Sequence, residues 1–215
     1  MRRQIADLDS ERQAETRNRL ADLISNILSP FSMSLVLILL LSFTAASSRL
    51  DALKWTLISS LMSILPVLLV ILYMVRNGKL DAVFINTREQ RTRIYLLAGL
   101  CAIISDVILH YLEAPPVLVA AFTTGLATVA IFTVINLWWK VSIHTAFVAS
   151  TVTLLVMLYG GKAAVTVVFV PLMAWARVEL KHHTLAQAAT GALLAAVIVV
   201  LVFVVFYPSL LLKTP

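Results

Sequence analysis

The run LAQAATGALLAAVIVVLVFVVFY, from Leu185 to Tyr207, contains no charged residue. As a helix rising 1.5 Å per residue it matches the roughly 30 Å hydrocarbon core of a bilayer. Six further apolar stretches precede it, at about Pro30–Ala46, Trp55–Val75, Ile94–Leu112, Val117–Trp139, His144–Tyr159 and Ala163–Trp175. Strand patterns are absent. The chain therefore reads as an all-α, polytopic transmembrane helical bundle of about six or seven spans. The sixth stretch is short and holds Pro171, so it fits best packed inside the bundle and ending at a water-filled site. Pro66 is expected to kink the second span, and Gly160-Gly161 to turn the chain tightly between the fifth and sixth. Gly99, Gly125 and Gly191 fall inside apolar runs, where glycine lets helices approach closely.

Composition supports the same class. Of 215 residues, 60% are hydrophobic and 13% charged, and the mean hydropathy is +0.95. A soluble domain of this size could not hide that much apolar surface, so soluble classes are excluded. The net charge of +6 comes from basic residues gathered at span ends. Membrane lipid headgroups or phosphate esters are the expected partners, and nucleic acid is not. The single Cys101 lies in an apolar run, so no disulfide within the chain is possible. The first apolar run follows a long charged segment, so no cleaved signal peptide is expected and the first span should be retained.

Residues 1–26 form a separate segment. Arg2, Arg3, Arg12, Arg17 and Arg19 alternate with Asp7, Asp9, Glu11, Glu15 and Asp22, while Ile5, Leu8, Leu20, Leu23 and Ile24 recur at helical spacing. This suits an amphipathic helix lying on the bilayer, or a solvated charged tail. The helical domain then occupies 27–215. If all seven stretches cross, Arg49, Lys54, Lys162 and Lys213 face one side and the other 13 of the 17 basic residues face the opposite side. The positive-inside rule makes the richer face, with the N-terminus, cytoplasmic. An inner membrane of bacterial or archaeal type is the expected location.

Three polar strings fall on that richer face. In Asn86-Thr87-Arg88-Glu89-Gln90-Arg91-Thr92-Arg93, Arg88 and Arg91 lie three apart and share one side of a helix start. They can fork onto one phosphate, or anchor the chain to headgroups. The second string, Lys140, Ser142 and His144, opens the fifth span, where backbone N–H groups favour an anion. His144 can protonate a leaving oxygen there, or simply be satisfied by a carbonyl at the interface. In the third, Arg177 ends the sixth span and His183 opens the seventh, with Gln187 one turn further on the same side. Gln187 can accept from the imidazole N–H and fix which ring nitrogen faces a substrate. His182 is adjacent, and only one of the two neighbouring histidines is expected to enter the site.

These strings resemble the signature of the type 2 phosphatidic acid phosphatase superfamily, membrane lipid phosphatases that share a core with vanadium haloperoxidases. That signature reads Lys-x6-Arg-Pro, then Pro-Ser-Gly-His, then Ser-Arg-x5-His-x3-Asp. The third motif is matched by Ala176-Arg177, five residues, His183, three residues and Gln187. The second is matched by Val141-Ser142-Ile143-His144, and the first loosely by Arg88 or Arg91, with Thr92 where a proline would stand. The similarity spans roughly residues 76–191. It implies a phosphoric monoester or diphosphate hydrolase acting on a lipid or isoprenoid phosphate without metal or other cofactor. His183 would attack phosphorus to give a phosphohistidine, His144 would protonate the departing alkoxide, and Arg177, Arg91 and Ser142 would hold the phosphoryl oxygens. Gln187 replaces the family's aspartate, so it can orient His183 but supplies no negative charge. The alternative is a non-catalytic lipid-phosphate-binding or assembly subunit with the same fold.

Asp106 and His110 lie four apart on the third span, a candidate proton or metal pair. Asp106 stands about 20 Å along the helix from Arg93, too far to serve His183, and a structural polar contact near the opposite interface is expected. A transporter would need polar residues along a path across the bilayer, whereas here they concentrate at one face.

Overall fold

Hydroxyl side chains mark where four of the helices begin. The structure, a computed structural model, describes residues 2–79 and 88–211, with side chains of 11–79 and 90–211. Helix α1 runs Arg2–Ile27, and Ser29 then caps α2 (Pro30–Ala45), accepting from the Ser32 N–H with Pro30 in the first turn. Ser48 caps α3 (Arg49–Arg76), accepting from Asp51 N at 3.1 Å and donating to its carboxylate at 2.9 Å. Helices α4 (Arg88–Tyr111) and α5 (Pro116–Ile135) follow, then α6 (Ile143–Tyr159), capped by Ser142. A 3-10 helix, Gly160–Val168, leads into α7 (Phe169–Glu179), and α8 (Leu185–Phe206) and the short α9 (Pro208–Leu211) complete the described residues. No strand occurs among the described residues.

Among the described residues, six helical runs are long and apolar enough to cross a membrane. One of them, Ile143–Glu179, folds back on itself. Were it straight, His144 and Arg177 would stand about 50 Å apart, yet both line one cavity. The reversal falls at Gly160, whose φ of 60° and ψ of −142° end α6. That is the Gly-Gly turn expected from sequence.

The expected sixth stretch, Ala163–Trp175, is instead part 3-10 helix and part α-helix. Pro171 supplies the reason. In an α-helix its ring would press on the Val167 carbonyl, so α7 starts at Phe169 and leaves Pro171 in its first turn, where no N–H is needed. The fourth span also stops early, at Ile135, leaving Trp138 and Trp139 in the following turn. Exposed indoles there suit a membrane interface.

Large apolar side chains face outward as well as inward, and small ones mark the closest helix contacts. Along α3, Leu53, Leu57, Leu61, Leu65, Leu69 and Leu72 form an exposed stripe, and along α8 the exposed side carries Leu193, Val197, Leu201 and Val204. The buried side of α8 begins with Ala188, Gly191, Ala192 and Ala195 and continues with Ile198, Val199, Val202 and Phe203. Lipid solvates the outward-facing large side chains, while small ones let helix backbones close on each other. The closest approach is between α6 and α8. Their first turns are joined by Ser142 N–H to Gln187 O at 3.2 Å and by Thr145 Oγ1 to Ala188 O at 2.9 Å. A Cβ at Gly191 would lie 2.5 Å from the Ser142 carbonyl oxygen, and one at Gly99 would lie 3.3 Å from Val129. Gly125 corrects the sequence reading, because a Cβ there meets nothing within 4 Å. It lines a cavity and packs against no helix.

Candidate functional site

The chain builds one polar corner where α1, α4, α6, α7 and α8 meet at a common face. The turn from α7 into α8 sets it. Leu180 ends α7, Lys181 takes a φ of +56°, and Lys181 N–H bonds Val178 O at 2.9 Å while His182 N–H bonds Arg177 O at 3.1 Å. This Schellman pairing satisfies the last carbonyls of α7 and reverses the chain. His183 N–H also reaches Arg177 O, at 3.2 Å, so the turn fastens His183 beside Arg177.

A reciprocal cap then starts α8. Thr184 Oγ1 accepts from Gln187 N at 3.3 Å, and Gln187 Oε1 accepts from Thr184 N at 3.2 Å. The backbone N–H thereby identifies the Gln187 oxygen. The same Oε1 lies 3.3 Å from His183 Nδ1. An amide oxygen can only accept, so Nδ1 carries the hydrogen and the Nε2 lone pair is left for chemistry.

Arg91, His144, Arg177 and His183 all line one cavity of about 290 Å³. Arg91, His144 and Arg177 are buried, and His183 is half-buried. Among the other residues expected at the site, Ser142 is buried with its hydroxyl capping α6 through Thr145 N at 3.4 Å, and Gln187 reaches the site through His183. Lys140 is half-buried and close enough to repel His183. Arg88 begins α4, and its side chain lies outside the described residues.

Electrostatics mark the corner as a place for an anion. Burial lowers the Lys140 pKa, and the charges of Arg91 and Arg177 lower it further. His183 falls to about 3 through burial, then through Lys140 and Arg177, with the Gln187 hydrogen bond acting in the other direction. His182 is lowered chiefly by burial and also by Arg177 and Lys140, while Asp22 opposes this. His183 is therefore a neutral imidazole near pH 7, the form that can act as a nucleophile.

Helix α1 adds residues that the motifs did not indicate. Arg177 Nη1 donates to Ser25 Oγ at 2.9 Å, a buried contact across 152 positions of sequence, and Arg17 pairs with Glu179. At the start of α4, Thr92 Oγ1 accepts from Asn136 Nδ2 at 3.0 Å, tying that helix to the end of α5. Ser25 lies between Ile24 and Asn26 near the end of α1 and carries no signal visible in sequence.

Asp106 lies away from this corner. Thr123 Oγ1 donates to its carboxylate at 2.9 Å and lies 3.0 Å from the Tyr207 hydroxyl, which links α4, α5 and the end of α8. His110 is exposed. Among the described residues, no group of three or more His, Cys, Asp or Glu side chains is gathered to hold a metal. Compared with protein-family models, with curated proteins and with solved structures, the chain matches none.

Proposed function

We propose that this membrane protein is a phosphatase acting on a lipid or isoprenoid phosphate or diphosphate, as its resemblance to the type 2 phosphatidic acid phosphatases implies. One observation carries the reading. Arg91, His144, Arg177 and His183, drawn from four helices or their junctions, line the same cavity. Phosphoryl transfer requires positioning and positive charge above all, and such a set supplies both.

In the proposed reaction the guanidinium groups of Arg91 and Arg177 hold the equatorial oxygens, with Lys140 adding charge nearby. The His183 Nε2 lone pair forms a bond to phosphorus as the ester P–O bond breaks, and His144 gives its proton to the departing alkoxide. Water then attacks the phosphohistidine, passing a proton back to His144, and the N–P bond breaks to release phosphate. Gln187 keeps the His183 hydrogen on Nδ1 throughout. The distribution of basic residues favours the cytoplasmic side for this site.

A second reading is a subunit that binds a lipid phosphate without turnover. Gln187 favours it, because a neutral amide leaves the cationic intermediate without a counter-charge. Loss of the corresponding acid in a serine-protease triad costs about 10⁴ in rate, largely through tautomer choice. Here the Thr184 N–H already fixes the tautomer through Gln187 Oε1, which favours the catalytic reading. The test is phosphate release by purified protein from phosphatidate and prenyl phosphates. Wild-type turnover that His183→Ala abolishes is expected, and equal rates for the two proteins would remove the catalytic assignment.

A further inference from the structure

The cavity that holds the four basic side chains at one end continues deep into the bundle. Along α5 its lining runs from Phe132 to Leu118, about 21 Å of helix, and along α6 from His144 to Leu154, about 15 Å. One leaflet contributes about half of the roughly 30 Å hydrocarbon core. The cavity thus reaches past the midplane, to within one turn of the far end of α5. It is closed there by Leu41, Leu118, Leu154 and Val199, which belong to the packed core between α2, α5, α6 and α8.

Its wall is apolar in effect. The hydroxyls of Thr124, Thr128 and Ser63 are turned back onto carbonyls of their own helices, at 2.7, 2.8 and 2.6 Å. A volume of about 290 Å³, drawn out over about 20 Å, is an elongated tube, the shape of one extended hydrocarbon chain. Its two ends therefore call for opposite chemistry, an anion at the mouth and a single long apolar chain below.

We propose that this tube receives the one tail of a single-chain lipid phosphate, longer than the depth of a leaflet, and that its blind end sets the greatest tail length accepted. The inference rests on the phosphate site proposed above and names its substrate class. Gly125 supplies the means to test it. It sits midway along α5, and a Cβ there meets nothing within 4 Å. A leucine at this position projects into open tube and replaces a helix-interior glycine, which by itself favours the helix.

The experiment compares wild type with Gly125→Leu, Ala121→Leu and the matched Gly125→Ala. Phosphate release is measured from single-chain alkyl and prenyl monophosphates of graded length, and from dioleoyl phosphatidate. In Gly125→Leu the ratio of long-tail to short-tail turnover is expected to fall by about tenfold or more, because several methylenes lose their burial. Ala121→Leu is expected to move the ratio in the same direction, and Gly125→Ala to change it little. In parallel, an alkyl phosphate with a photoreactive group at the tail end is expected to label the segments around Ala121 or Leu154.

The proposal is overturned by a ratio unchanged in both leucine variants, or by labelling confined to lipid-facing residues such as Leu57 and Leu193. A preference for phosphatidate over every single-chain substrate also overturns it. The two readings separate cleanly. Phosphate release with no length effect leaves the hydrolase and removes the tube, whereas tail labelling without release leaves the tube and removes the hydrolase.

Discussion

A single methyl group added at Gly191 should weaken this bundle, while the same change at Gly125 should not. The new Cβ at 191 would lie 2.5 Å from the Ser142 carbonyl oxygen, and ordinary contact begins near 3.4 Å. Helices α6 and α8 must therefore open by about 0.9 Å at their first turns, since a backbone oxygen cannot swing aside as a side chain can. Two hydrogen bonds cross that gap, Ser142 N to Gln187 O at 3.2 Å and Thr145 Oγ1 to Ala188 O at 2.9 Å. Stretched by so much, each forfeits about 1 kcal/mol, and the strain of overpacking adds about 1–3 kcal/mol. Alanine returns about 1 kcal/mol of helix propensity. Gly191→Ala is then expected to be less stable than wild type by roughly 2–4 kcal/mol, and Gly125→Ala slightly more stable. Thermal unfolding in detergent should separate the two variants by about 10 °C. The same opening moves His183 relative to His144, so phosphate release should fall about 10²-fold. If Gly191→Ala melts at or above Gly125→Ala, the close α6–α8 contact and everything built on it is wrong.

Four further outcomes are expected. Ser25→Ala removes a buried partner of the Arg177 guanidinium and should cost about 2 kcal/mol. It should also speed tryptic cleavage at Arg17 and Arg19, and unchanged proteolysis would refute the docking of α1. Lys181 holds a φ of +56°, so Lys181→Gly should raise stability by about 1 kcal/mol, read as a higher melting temperature. Because the folded His183 pKa is about 3, below the ordinary value of about 6.5, the unfolded chain binds a proton that the folded chain refuses between those values. Stability should fall as pH is lowered through that window and stay level above it, and His183→Asn should flatten the slope. Gln187→Asp places a carboxylate against the imidazole and should raise the His183 pKa by about 1–3 units, followed by ring-proton NMR. No upward shift would refute the contact.

The spans were legible because membrane crossing is a one-dimensional property: length and apolarity are local to each segment, and lipid-facing stripes need no partner to be recognised. That Arg91, His144, Arg177 and His183 gather at one face also follows from counting crossings, since each lies at a junction of the same parity. What the sequence withheld was the identity of neighbours. Gly125 and Gly191 are both helix-interior glycines among alanines, valines and threonines, yet one faces open space and the other a carbonyl oxygen at 2.5 Å. Only the rotation of α5 and α8 about their axes separates them, and that rotation is fixed by every other helix at once. Ser25 is a stronger case, for its partner lies 152 residues away and each member alone has an ordinary explanation, a serine near a helix end and an arginine at a membrane surface. The spacing Arg177-x5-His183-x3-Gln187 was informative because a Schellman turn and a reciprocal helix cap are both local. Between them they place the guanidinium, the imidazole and the amide with no help from the rest of the fold. A local motif can thus fix the chemistry of one corner, whereas the shape of the tube below it depends on helix rotations that no local pattern encodes. The Gly125 and Gly191 variants, identical in chemistry and opposite in expected effect, probe that dependence directly.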